Sequence, residues 1–366
     1  MFDQLFKDIA LNAGANDVAG NFPDKEFMCM AVEDLLKIVL PGELLDFNKA
    51  STKGLLHLLK NVGGANLSVG RIYEGHINAL QLVHAFGTEL QKSEWYAAAA
   101  SNKLFGVWNS ENGNGVTITL QPNGKYKLAG VKMFCSGAHW IQRPIVTGKL
   151  FAPGKNGWQM CILPVEKLPP FKEDNSFWKP MGMRASASFQ IDFTGVEIGE
   201  ECFLGAPNTY YEEPYFNGGA TRFAAVQLGG ALSIVEATHH FLRQHNRAGS
   251  EQQKARIAEM AMHAACGNNW LNSVAETTEK WRDCPATNEK NMAYAGMVRT
   301  AIEKICSRIL YLSGVCIGPI GLMQPNKLER LHRDLTFYLR QPAPDAVISS
   351  VGTYLLKSEK IKDAWD

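Results

Sequence analysis

The chain has 366 residues, 46% of them apolar and 20% charged, a composition that suits a globular protein with a large core. Lysine and arginine number 37 against 36 aspartate and glutamate, so no net field favours nucleic acid or an anionic membrane as a partner. No apolar run is long enough to span a bilayer, and Asp3 and Asp8 interrupt the opening MFDQLFKDIALNAG where a signal peptide would be apolar, which points to a cytoplasmic protein.

Residues 1–105 read as a helical domain. AVEDLLKIVL and KGLLHLLKNV have the apolar spacing of short helices. In SVGRIYEGHINALQLVHAFGT the residues Val69, Ile72, Tyr73, His76, Leu80, Val83 and His84 recur at three- and four-residue intervals, as one buried helix face requires. Gly70 and Gly75 each weaken such a helix by about 1 kcal/mol relative to alanine, and tight helix packing is the expected offset. From 106 to 206 the period changes to two. VTITLQPNGKYKLAG reads as a hairpin turned by Pro122, Asn123 and Gly124, and VKMFCSGA, RPIVTGKLF, WQMCILPV and SFQIDFTGVEI follow as strands of a small β-domain.

From 217 to 366 the helical period returns in TRFAAVQLGGALSIVEATHHFLRQH, EQQKARIAEMAMHAACGNNWLNSVAE and NMAYAGMVRTAIEKICSRILYLSG, joined by polar loops at HNRAGS and RDCPATNEK. A further helix entering from Leu328 must stop near Leu339 or Arg340, because Pro342 and Pro344 lack amide protons and clash with the preceding turn. The fold class is therefore α+β and multidomain: an N-terminal helical domain, a middle β-domain and a C-terminal four-helix bundle. Eight cysteines stand singly with no CxxC pair, and the nine histidines show no ligand spacing, adjacent His239 and His240 pointing to different sides of a helix; neither disulfides nor a metal site is expected.

Five stretches in this order resemble the acyl-CoA dehydrogenase superfamily over nearly the whole chain: GHINALQLVHAFGTELQK (75–92), GVKMFCSGA (130–138), WKPMGMRASAS (178–188), TRFAAVQLGGA (221–231) and LERLHRDL (328–335). The resemblance implies FAD bound between the β-domain and the C-terminal bundle, in a homodimer or homotetramer whose partner subunit completes the cofactor site. It assigns Phe134, Cys135 and Ser136 to the flavin ring, and GVWNSENGNG (106–115) to a second flavin-facing segment with Val107, Trp108, Asn109 and Ser110 in contact and Ser110–Glu111 in place of a Thr-Glu pair. Strand-end hydroxyls and amides are suitable donors to a ring whose N5, O2 and O4 accept charge. Thr221 and Arg222 match a Thr-Arg pair facing the substrate, although a helix-capping threonine would look the same. Arg184 of MGMRAS would tie the β-domain to its neighbour.

The family pattern fails at three places. The Arg-x-x-Phe motif for the FAD pyrophosphate is absent from RQHNRAGSEQQKAR, leaving Arg247 as the phosphate partner. The Gly-rich adenosine-side turn keeps Gly318 and Gly321 but carries Pro319. Above all, counting from Arg333 and Asp334, the family's catalytic glutamate falls on Pro342, and its other carboxylate position holds Thr221, so neither can accept a proton. Three readings stay open. The protein oxidises an acyl thioester or related substrate with Asp345 or Glu213 as a relocated base, passing electrons to an electron-transfer flavoprotein; or it is a flavin monooxygenase fed by a reductase, with Ser136, His139 and Trp108 shaping a dry pocket; or it is an inactive scaffold.

Overall fold

Helices come first in the structure, a computed structural model that describes residues 2–113, 115–213, 215–281, 284–340 and 343–365. α1 (Asp3–Asn12), α2 (Asp24–Val32), α3 (Thr52–Ala65), α4 (Leu67–Phe86) and α5 (Glu89–Ala100) precede the strands. α4 starts where Asn66 Oδ1 accepts from the amide of Ser68 at 2.9 Å, and α5 starts in a Thr88/Gln91 capping box. Buried side chains occupy both faces of α4, including Glu74 and His76, rather than the single stripe that periodicity suggests. The stretch AVEDLLKIVL is not the expected helix: α2 ends at Val32, Asp34 turns to φ +59°, and tight turns follow. Tertiary hydrogen bonds explain the override. Tyr73 Oη donates to Leu35 O and His76 Nε2 to Leu36 O, both at 2.7 Å, so these carbonyls serve α4 instead of a local helix.

The middle section forms two sheets. In the larger, the order is β10 (Phe203–Leu204), β6 (Lys155–Ile162), β5 (Arg143–Ala152), β2 (Thr117–Leu120), β3 (Tyr126–Ala129), β9 (Glu197–Ile198), with β1 (Phe105–Trp108) also paired to β5. The expected hairpin is β2–β3, with Leu120 opposite Tyr126 and Gly124 at φ +79° in its turn. The smaller sheet is β4 (Val131–Cys135), β8 (Phe189–Asp192), β7 (Lys172–Asp174), with an irregularity between Lys132 and Cys135.

α6 (Tyr215–Gln244), α7 (Glu251–Trp281), α8 (Asn288–Gly321), α9 (Lys327–Tyr338) and α10 (Pro344–Lys357) complete the chain. α6 begins six residues before Thr221, which is therefore inside the helix and not its cap. α9 stops at Tyr338, as the prolines require. α3 and α6 approach so closely that a Cβ on Gly63 or Gly229 would overlap the backbone of the other helix, and Gly70 of α4 packs onto Val226 in the same seam. One continuous apolar core runs from Leu5 of α1 through the sheets to Leu339. Among the described residues no helix is long and apolar enough to cross a membrane.

Candidate active site

The ends of β1 and β4 lie side by side because their loops are bonded to each other. The amide of Met133 donates to Ser110 O at 2.8 Å, and Trp108 Nε1 donates to Ser136 O at 3.2 Å. Trp108 itself is buried, so its ring supports this junction from beneath, while Ser110 lies exposed. Asn109 is held more tightly. Thr147 Oγ1 donates to its Oδ1 at 2.6 Å and Trp158 Nε1 donates to the same oxygen at 3.1 Å. An indole nitrogen is a donor only, which fixes the amide orientation and leaves Asn109 Nδ2 a donor with no partner among the described residues. Below it, the fully buried Lys132 donates to Asn109 O at 3.0 Å and pairs with Glu111 at 2.5 Å. Burial pulls the Lys132 ammonium below its ordinary pKa, and Glu111 counters the shift. Glu111 is thus an anchor for the 107–111 segment, not a ligand group of its own.

Ser136 heads a chain of hydroxyls. Its Oγ lies 2.9 Å from Ser188 Oγ, which lies 2.8 Å from Ser186 Oγ, and the amide of Gly137 donates to Ser186 O at 2.9 Å. Ser186 and Ser188 stand in the RASAS run, where nothing but alternate spacing marked them. Phe134 is 46% exposed at φ +55°, with its ring edge-on to Phe177 at 5.3 Å and to Trp178 at 6.5 Å. The Cys135 side chain is fully buried, and burial drives its thiol well above the ordinary range, so only its backbone faces the strand end. Trp178 also meets Phe337 of α9 edge-on at 5.7 Å, and Asp334 Oδ1 accepts from the amide of Met183 at 2.7 Å. These contacts, with Gly182 pressed on the backbone of Arg333, carry most of the tie expected from Arg184, whose charge acts on Glu329.

The helical wall opposite is polar, with Glu74 and Arg222 buried and Arg71 and Asn78 half-buried. Arg71 Nη1 pairs with Glu74 Oε2 at 2.7 Å, Asn78 Nδ2 donates to Glu74 Oε1, and Arg222 Nε donates to Asn78 Oδ1. Tyr210 and Tyr338 lie close enough to Arg71 and Glu74 for their hydroxyls to interact electrostatically with both. Tyr338 also anchors the end of α9, its carbonyl accepting from Gln227 Nε2 of α6 at 2.9 Å. Ile72, next to Arg71, faces Gly137 across a gap that a Cβ would close to 3.6 Å, which brings this wall against the Ser136 strand end. Arg222, which the resemblance assigns to the substrate, is buried in this wall. Arg71, Glu74 and Asn78 were missed, because a charged residue inside an apolar-periodic helix looks like its solvent face. Thr221 is buried and donates to Gly218 O at 2.9 Å.

The remaining expected residues are dispersed. Arg247 is exposed on the α6–α7 connection and donates to Cys316 O at 3.3 Å, two residues before Gly318. Gly318 interrupts α8 at φ +62° with open space around it, so Arg247 and Gly318 do form one surface. Gly321 does not join them, since a Cβ there would strike Ile317 and the glycine is explained by packing. Asp345 is exposed in the first turn of α10, outside the polar wall, and Gln341 and Pro342 lie outside the described residues. Glu213 borders a space of about 20 Å³ with Thr221 and Asn291. His139 is 72% exposed and lines no dry pocket. His239 and His240 do not diverge as expected: their Nδ1 atoms lie 4.0 and 3.2 Å from Glu236, all three on the outer surface of α6. A cavity of about 890 Å³ lies between α1 and the start of α9, where Arg330 pairs with Asp334, and Asp17 and Glu329 pair with Arg333. It sits at the opposite end of α9 from Tyr338 and contains none of these donors.

An amide nitrogen, a hydroxyl and an aromatic edge at two adjoining strand ends make a donor set suited to a planar ring with several acceptor atoms, and a flavin is such a ring. No protein-family model matches the chain. It is 25% identical over 347 residues to the "Probable acyl-CoA dehydrogenase YngJ" of Bacillus subtilis, covering 90% of this chain and 88% of that one. It is 26% identical over 202 residues to a dibenzothiophene monooxygenase of Rhodococcus qingshengii, covering 53% of this chain and 48% of the relative. Its structure matches TdsC of Paenibacillus sp. A11-2, solved with FMN and indole, at a TM-score of 0.87 and 20% identity over 96% of this chain and 95% of that one. With the fold and the order of motifs, these likenesses are to the acyl-CoA dehydrogenase superfamily of flavin-dependent oxidoreductases, from whose members named above the chain diverges to about a quarter identity or less.

Proposed function

We propose that the flavin ring rests on the β1 and β4 ends, with Asn109 and Ser136 as side-chain donors, Phe134 as an aromatic edge, and Val107, Trp108, Ser110 and Cys135 contributing backbone. Arg247 and Gly318 take its phosphate end. A single arginine there suits FMN, the flavin in the TdsC complex, more than the pyrophosphate of FAD that the resemblance implies. The substrate lies between the ring and the α4–α6 wall, against Thr221 and Arg222. When bound, the flavin supplies two electrons, delivered by a separate reductase, so that one atom of dioxygen enters the substrate and the other leaves as water.

The observation that carries oxygen transfer is the pairing of retained ring donors with missing bases. Asn109 and Ser136 are fixed by partners, whereas Thr221 and Pro342 occupy both carboxylate positions and Asp345 stands exposed. Oxygen transfer requires no abstraction of a proton from carbon at those positions. Ser136, backed by Ser188 and Ser186, holds a proton beside the ring and can exchange it along the hydroxyl chain. The aromatic edge formed by Phe134, Phe177 and Trp178 excludes water from one side. Dehydrogenation of an acyl thioester is the second reading, favoured by the place of Glu213 beside Thr221. In that case Glu213 or Asp345 would take the proton and an electron-transfer flavoprotein the electrons.

The test is direct. Protein incubated with FMN or with FAD and then desalted is expected to keep oxidised-flavin absorption, more with FMN. After reduction it should consume oxygen on mixing with aerated buffer and candidate substrate. Anaerobic bleaching by an acyl thioester, lost in Glu213→Gln, would instead establish dehydrogenation. Folded protein that retains neither flavin overturns both.

A further inference from the structure

The α4–α6 wall holds a charge imbalance that its hydrogen bonds do not resolve. Arg222 is 7% exposed and its guanidinium makes one described hydrogen bond, from Nε to the neutral amide oxygen of Asn78. Its Nη1 and Nη2 atoms, with four N–H donors between them, have no partner among the described residues. Among the described residues the carboxylate whose charge acts on Arg222 is Glu74, which already accepts from Arg71 and from Asn78. Two cations therefore face one anion. Burial without a dedicated counter-ion draws the Arg222 pKa down to about 10, with Glu74 opposing the shift. A buried cation left in this state costs stability, and proteins retain such groups where a ligand completes them.

The space around these guanidinium groups is also unusual. A Cβ on Gly218 would stand 3.4 Å from Arg222 Nη1, one on Gly219 3.8 Å from Nη2, and one on Gly75 3.6 Å from Arg71 Nη1. Gly75 meets nothing else within 4 Å, so helix packing does not explain it as it explains Gly70. Three glycines on two helices thus leave room over two arginines. Tyr210 and Tyr338 border the same ion pair and would present hydroxyls to an anion.

We infer that the substrate is a small organic acid whose carboxylate, or an equivalent planar oxyanion, is taken by the Nη pair of Arg222 with Arg71 beside it. The fork of a guanidinium matches a carboxylate with two parallel hydrogen bonds, which sets the substrate's angle to the ring as well as its affinity. This rests on the reading that the α4–α6 wall is the substrate side of the site. The carboxylate is an anchor, and oxidation takes place elsewhere on the molecule.

The experiment measures binding and not turnover, so that it stands apart from the flavin. Calorimetric titration with acetate, propionate and benzoate, and with the corresponding neutral amides, is run on protein with and without FMN, beside an arm with inorganic phosphate. Carboxylates are expected to bind at least tenfold more tightly than their amides, and Arg222→Met to lose at least tenfold in carboxylate affinity while the amides are unaffected. Arg222→Lys, which keeps the charge and loses the fork, should recover only part of the affinity. Equal binding of acids and amides, unchanged binding in Arg222→Met, or binding of phosphate alone overturns the inference. Carboxylate binding in protein that retains no flavin upholds the anion site and removes the flavin reading; retained flavin with no carboxylate binding does the reverse.

Discussion

The two walls of the site are built on opposite principles. On the β side the polar groups at the strand ends are held by others: Asn109 by Thr147 and Trp158, Ser136 by Ser188, and the 107–111 segment by Lys132 and Glu111. On the helical side, Arg222 is buried with most of its donors unused among the described residues. A closed network fixes geometry before any ligand arrives, which suits a cofactor that must sit at one angle. An open one stores an unmet electrostatic demand, which suits a group that enters and leaves. The contrast teaches that hydrogen-bond satisfaction, more than cavity size, marks the parts of this site.

The largest expected effect comes from breaking the joint between the walls. His76 of α4 accepts from the amide of Phe105 in β1 at 3.1 Å through Nδ1 and donates from Nε2 to Leu36 O, so its ring is neutral in the fold. Burial holds its pKa at about 4 against an ordinary 6.5. The unfolded chain takes up the proton first as pH falls, so stability is full above about pH 6.5 and is lost progressively towards pH 4. His76 alone should remove roughly 3 kcal/mol across that window, and His332, also lowered to about 4, adds in the same direction. Urea denaturation at pH 7 and pH 4.5 reads this, and His76→Gln should flatten much of the dependence.

Within the closed wall, Asn109→Ala leaves the Trp158 indole without its acceptor and should cost about 2 kcal/mol, with flavin retention falling at least tenfold. Ser188→Ala is the gentler cut, since Ser136 loses one hydroxyl neighbour while its carbonyl stays bonded to Trp108. It should cost about 1 kcal/mol in thermal unfolding and chiefly weaken flavin retention. The smallest effect carries the opposite sign. Arg222→Met removes a cation without a dedicated counter-ion and keeps the apolar stem, so ligand-free protein should gain up to about 1 kcal/mol in denaturant. Destabilisation there as large as at Asn109 would erase the distinction between the two walls.

The sequence by itself determined the order of the architecture and some of its element ends. Helical period before residue 105 and after 217, period two between them, Gly124 in the hairpin turn and the stop of α9 before its prolines are local properties, set by backbone sterics and by which face of an element is apolar. The two segments that end side by side at β1 and β4 were also legible as strand ends, because strand-end composition is local too. Tertiary structure alone decided whether AVEDLLKIVL is a helix, since Tyr73 and His76 claim its carbonyls. It made Glu111 the partner of Lys132, and turned Asp345 out to solvent. It also brought Arg222 of α6 to Asn78 of α4, 144 residues away along the chain, and Glu74 to Arg71 within the same wall. Charge balance in a buried site is a sum over groups from distant segments. Periodicity reports which way one residue faces, while the packing of whole helices fixes which residues it meets.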